Sequence, residues 1–203
     1  MLGLEEGRLV LNAASLRGFS IIELMIALTI MGVLIALGMP SLGSYVQTAR
    51  LGSMAKGFYT GVQMARTEAI RLNQPVDFVL TNTAVVPNIQ TLAVANTSGR
   101  NWVVRYTDAA AAVQLVEAKS VLEGGGVGPA MTATSSSSVI TFDSLGRNAA
   151  NRADSINIAN PAAGLCDPAG PVRCWRVAVS AGGQVRLCQP AANAASAGDT
   201  RGC

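Results

Sequence analysis

Residues 17–45 read RGFSIIELMIALTIMGVLIALGMPSLGSY. No side chain from Leu24 to Met39 is charged. Counted as a helix from Phe19, the run reaches about 30 Å, the thickness of a bilayer's hydrocarbon core. The stretch can span a membrane, yet Glu23 stands near its start, just behind Arg17-Gly18-Phe19. An unpaired carboxylate in hydrocarbon costs at least a few kcal/mol. A secretory signal peptide would also be apolar, and Ala36-Leu37-Gly38 offers the small residues of a cleavage site. Pro40 just beyond that point and Glu23 inside the run argue against it. So does the leader, where Glu5 and Glu6 balance Arg8 and Arg17.

The helical pattern outlasts the apolar run. Leu51, Met54, Ala55, Phe58, Val62, Ala65, Ala69 and Leu72 fall at helical spacing and form one continuous stripe. Arg50, Lys56, Thr60, Gln63, Thr67 and Arg71 fall mostly elsewhere. The helix is expected to end near Asn73, two residues before Pro75. Pro40 removes one backbone hydrogen bond within it and is expected to kink it. One half is suited to lipid, and the other carries a stripe that needs a partner.

That partner is expected downstream, where VDFVLT (76–81), QTLAVA (90–95), NWVVRYT (101–107), SVITFD (138–143), SINIA (155–159), CWRVAVS (174–180) and QVRLC (184–188) read as strands. Ser180-Ala181-Gly182-Gly183 supplies a hairpin turn between the last two. An antiparallel sheet packed on the helix stripe follows, an α+β fold. EGGGVGPAMTATSSSS (123–138) interrupts the strands and reads as a flexible loop. Its glycine run is no phosphate loop, since no Gly-Lys-Ser/Thr follows.

Composition removes most catalytic possibilities. Histidine is absent, which excludes every Ser-His-Asp or Cys-His mechanism and the commonest zinc ligand. No nucleophile–base pair stands out, and neither an enzyme nor a cofactor is expected. With 15 basic and 12 acidic residues the net charge is +3, too mild to demand a polyanionic partner. Aromatic residues make up only 4%, too few for base-stacking platforms.

The four cysteines, Cys166, Cys174, Cys188 and Cys203, cluster at one end and read as two disulfides formed in an oxidising compartment. Of the three connectivities, Cys166–Cys174 with Cys188–Cys203 closes the shortest loops at least entropic cost, and is preferred. A zinc site is disfavoured because no C-x₂-C knuckle is present. Positive charges flank the apolar run on both sides, so they leave its orientation open. Disulfides place the C-terminal part outside a reducing cytoplasm, and the leader inside it.

Taken together, Gly18, Phe19, Ser20, Glu23 at the fifth position after Gly18, the apolar run and Pro40 at the twenty-second resemble the N-terminus of type IV pilin-like proteins. These are the pilins and the pseudopilins of type II secretion. The resemblance implies a type IV pilin fold, with residues 1–18 a cleaved prepilin leader and 19–40 a transmembrane and filament-core helix. It further implies an amphipathic helix half at 41–73 and a β-rich periplasmic globular domain at 74–203, its C-terminus disulfide-bonded. A prepilin peptidase would cut between Gly18 and Phe19 and methylate the new amino terminus, this chain being the substrate. Glu23 would meet the amino terminus of a neighbouring subunit, so that assembly relieves its desolvation. The helix dipole favours a carboxylate in that first turn as well.

GVQMARTEAIRLNQPVDFVLT (61–81), ITFDSLGR (140–147) and the cysteine-bearing C-terminus look like the GspH/FimT branch of that class. The implied function is that of a minor pilin or pseudopilin. It would sit in the bacterial inner membrane beside other pilins and help prime or cap a type IV pilus or secretion pseudopilus. Arg66, Glu68 and Arg71 read more simply as solvated charges at a helix end. Some members of the branch bind DNA for uptake through a Gly-Arg-x-Arg pattern, whose counterpart here, Gly183-Gln184-Val185-Arg186, keeps one arginine of two. Arg173, Arg176, Arg186 and Arg201 could still form a modest phosphate-binding surface. A solvated sheet edge that resists pairing is the better-supported reading of them.

Overall fold

The computed structural model describes residues 19–120, 131–167, 169–190 and 202–203, except for the side chains of 37–42 and of Ala163. The expected leader, Gly18 and Arg201 therefore lie outside the described residues. Two compact units are distinguished, one ending at Pro40 and one running Ser41–Cys203.

Helix α1 spans Ile21–Leu72. Pro40 does not end it; the kink expected there falls among residues whose side chains lie outside the described ones. Its C-terminus is closed by a Schellman pair, with Asn73 N–H donating to Ile70 O and Gln74 N–H to Ala69 O, both at 3.3 Å. Asn73 takes the left-handed conformation (φ 51°) that this motif requires, and Pro75 follows where no helix continues.

Two antiparallel sheets, rather than one, face α1. The first contains β1 (Val76–Thr81), β3 (Asn101–Thr107), β4 (Val113–Ser120) and β6 (Val139–Phe142) in the order β4-β3-β1-β6. The second contains β2 (Ser98–Gly99), β5 (Thr132–Ser135), β7 (Asp154–Ala159), β8 (Trp175–Val179) and β9 (Val185–Cys188) in the order β2-β5-β7-β8-β9. A 3₁₀ turn, Pro161–Ala163, lies between β7 and β8.

The α1 stripe enters one core with the inner faces of both sheets. Leu51, Phe58, Val62, Ala65 and Ala69 meet Phe78, Trp102 and Phe142 from the first sheet and Ile156, Ile158 and Val177 from the second. Leu72, the last member of the stripe, is only partly buried. Each large side chain removed from water contributes about 1.5–3 kcal/mol, so this seam is the main adhesive of the second unit. Phe78 joins helix to sheet, its ring centroid 6.3 Å from Phe58 and 5.8 Å from Trp102. Glycines let the tryptophans approach α1. At Gly61 an added Cβ would lie 2.9 Å from the Trp102 indole, and at Gly52 it would lie 3.6 Å from Trp175 Nε1.

Three local expectations fail. QTLAVA is not a strand: Ile89–Leu92 form the short helix α2, and Ala95 makes only an isolated bridge to Thr81. Ile89 and Ala93, four apart, lie on one helical face, and they pack with Val79 and Val103 in a second apolar cluster. This cover on the far side of β1 explains why VDFVLT is buried at nearly every position instead of alternating. The stretch 123–138 is not all loop, because Thr132–Ser135 pair with both β2 and β7 as β5. A strand of Thr, Ala and Ser whose one buried residue is Ala133 has no apolar alternation to betray it. Strand β4 has no counterpart among the expected strands either; it lies at a sheet edge, its residues half-buried or exposed except for Ser120, and a register shift opposite Val104/Arg105 breaks its pattern.

Candidate functional site

In the first unit, every described side chain of residues 19–36 is exposed. Phe19 is 82% exposed and Ile21 79%, and large apolar residues at Ile22, Leu24, Met25, Ile26, Leu28, Ile30, Met31, Val33 and Leu34 stand open around the whole helix circumference. A helix apolar on every side needs lipid or other helices around it. Among the described residues no helix is long and apolar enough to cross a membrane. The side chains of 37–42 lie outside the described residues, and the expected span, 19–40, ends among them. Glu23 lies in the first turn of α1, which opens with Leu24 N–H donating to Ser20 O at 3.1 Å. Among the described residues Glu23 has no hydrogen-bond or ion-pair partner.

In the second unit, Cys166 is bonded to Cys174 and Cys188 to Cys203, with Cα–Cα distances of 5.4 and 5.2 Å. The second bond ties the chain end to the last strand of its sheet, beside a parallel bridge between Gln189 and Gly202. Two of the arginines singled out from the sequence come together here. Ala178 pairs with Arg186, and Arg176 lies two residues earlier on the same strand face, so both guanidinium groups emerge on the outer side of the second sheet. Arg173 is exposed in the segment before β8. Arg176 Nε donates to Asn157 Oδ1 at 2.6 Å across the strand pair. Arg66 is no free surface charge: its Nε donates to Gly146 O at 3.0 Å, while Glu68 and Arg71 form an exposed 2.6 Å ion pair.

One polar group escaped the sequence reading altogether. Asp154, at the start of β7, is buried and accepts from Ser136 Oγ at 2.8 Å, from Ser137 Oγ, and from Asn148 Nδ2 at 2.8 Å. Arg152 Nε lies 3.4 Å from it. Burial pushes its carboxyl up, but the donors Ser137, Asn148 and Ser136 and the charge of Arg152 outweigh burial and hold it below the ordinary carboxylate value. The network draws on two loops and a strand, and no sequence spacing connects them.

A subunit with a bare apolar helix and a separately cored β domain is of the pilin-like class. The prokaryotic N-terminal methylation motif matches residues 15–39. The model for type II transport protein GspH matches residues 54–183, well over half of the chain, and the chain belongs to that family. Among solved structures it is similar to the type IV minor pilin FimU of Pseudomonas aeruginosa. In one crystal form the identity is 15%, covering 68% of this chain and 91% of that one with a TM-score of 0.48. In another it is 14%, covering 70% and 91% with a TM-score of 0.49. It is also similar to the minor pseudopilin EpsH of the Vibrio cholerae type 2 secretion system, at 16% identity, covering 70% and 98% with a TM-score of 0.44. No curated protein matches the chain.

Proposed function

We propose that this chain is a non-catalytic minor pilin or pseudopilin that helps prime or cap a filament assembled at the bacterial inner membrane. Residues 1–18 are then the leader removed by prepilin peptidase. Residues 19–40 cross the membrane once and later enter the filament core, 41–73 attach the globular part, and 74–203 form a periplasmic domain. The observation that carries this reading is the stretch of helix over 21–36, exposed and apolar on all sides, with Glu23 in its first turn unpartnered among the described residues. Lipid satisfies the apolar side chains but not the carboxylate. A neighbour's amino terminus satisfies the carboxylate, and a neighbour's helix replaces the lipid.

The test is Glu23→Ala in the host cell. The variant is expected to insert in the membrane at normal levels and to be lost from sheared filaments; normal incorporation would reject the pairing. Mass spectrometry of the mature protein is expected to show N-methylated Phe19. The alternative, a receptor for DNA uptake, rests on Arg173, Arg176, Arg186 and Arg201. It ranks second because, among the described residues of that set, Arg176 and Arg186 share one sheet face, too few contacts to hold a duplex firmly.

A further inference from the structure

The outer face of the second sheet holds a cleft of about 360 Å³. Its depth comes from one small residue. Ser155, Ala178 and Arg186 pair in one row across β7, β8 and β9, and Asn157, Arg176 and Cys188 pair in the next. A methyl group between two arginines leaves a hollow with a guanidinium on either side. Arg176 is steadied through Nε by Asn157, and among the described residues its terminal nitrogens have no acceptor. Arg186 is exposed and, among the described residues, has no acceptor at all. Ser155, Ser180 and Gln184 bring neutral polar groups to the lining, and Ala153, Val179 and Cys203 complete it. Asp154 is the acidic side chain of the lining, and Ser136, Ser137, Asn148 and Arg152 already satisfy it.

We infer that this cleft is a docking site for a carboxylate side chain of an acidic polypeptide segment, held between Arg176 and Arg186. Planar guanidinium groups match a carboxylate through paired, charge-assisted hydrogen bonds. The volume admits one or two side chains, whereas duplex affinity is built from the number of phosphates neutralised, and two arginines supply few. The inference concerns the chemistry of the cleft and stands apart from the assembly reading.

The test uses the full chain, ¹⁵N-labelled in detergent micelles, titrated with acetyl-Gly-Glu-Glu-Gly-amide. The Gln-Gln analogue, inorganic phosphate and a short DNA duplex serve as competing probes. The glutamyl peptide is expected to shift the Arg176 and Arg186 side-chain N–H signals saturably, and the glutamine analogue to leave them in place. Arg186→Gln is expected to weaken binding at least about tenfold through loss of a charge-assisted pair. Ala178→Met, which fills the hollow and keeps both charges, is expected to do the same. Failure to saturate, tighter binding of phosphate or duplex at the same arginines, or unchanged affinity in a folded Ala178→Met would each overturn the inference. Arg186 is exposed, so Arg186→Gln remains a usable variant if Ala178→Met does not fold.

Discussion

Gly61 and Gly52 are alike in sequence and opposite in consequence. Alanine at either position gains up to about 1 kcal/mol of helix propensity. At Gly61 the new methyl would press to within 2.9 Å of the Trp102 ring, which Phe78 backs at 5.8 Å. Overpacking of that kind costs about 1–3 kcal/mol, so Gly61→Ala is expected to lower stability in urea unfolding. At Gly52 the methyl meets Trp175 at an ordinary 3.6 Å, and Gly52→Ala is expected to be neutral or stabilising. Asp154 belongs to the same scale. Its carboxyl is held below its unfolded value near 4, so its contribution is present above about pH 4 and is lost as pH falls through the folded value. Asp154→Asn is expected to cost about 1–3 kcal/mol at neutral pH, because hydroxyl and amide donors lose their anionic acceptor. Acid titration of unfolding should show a shallower fall below pH 4 in the variant; an unchanged slope would remove Asp154 from the acid response.

At the level of elements, periodicity was legible wherever a single face is buried. The α1 stripe, its stop at Asn73 and the alternation of β8 all follow from side chains that face one core. Legibility failed where two faces are covered or where backbone pairing dominates. Ile89 and Ala93 close the far side of the first sheet as a helix, although QTLAVA has the composition of a strand. The β8–β9 hairpin was readable as a turn, but its docking was not. Gly183, at φ 79°, lies so close to the β6–β7 loop that an added Cβ would fall 1.8 Å from Gly146 O, the carbonyl that also accepts from Arg66. Helix, loop and hairpin thus meet at one carbonyl. Gly183→Ala is expected to cost at least about 3 kcal/mol, combining a left-handed residue with a backbone collision. A thermal melt within a degree or two of wild type would show that the hairpin lifts away freely.

For the whole molecule, every residue of the main core lies between Leu51 and Val185, inside the unit that begins at Ser41. None of the described side chains before Pro40 is among them. A chain starting at Gly43 is therefore expected to melt within a few degrees of the full chain and to stay out of the detergent phase, into which the full chain is expected to partition. A loss of cooperative melting would mean that the first unit supports the second. The same division separates the two proposals: the assembly proposal rests on Glu23 and its apolar helix, and the docking proposal on Arg176 and Arg186, which face outward on a folded sheet.

The sequence by itself determined the class of protein, the long helix, its buried stripe and most of the strands. These are carried by near-neighbour spacing, by a charge placed within an apolar run and by turn residues. Only the tertiary structure decided that there are two sheets, that α2 replaces a strand, and that Asp154 is caged by two loops. It alone paired Ala178 with Arg186 to open a cleft. Each of these depends on residues far apart in the chain meeting across strands, and one-dimensional spacing does not encode which strands become neighbours.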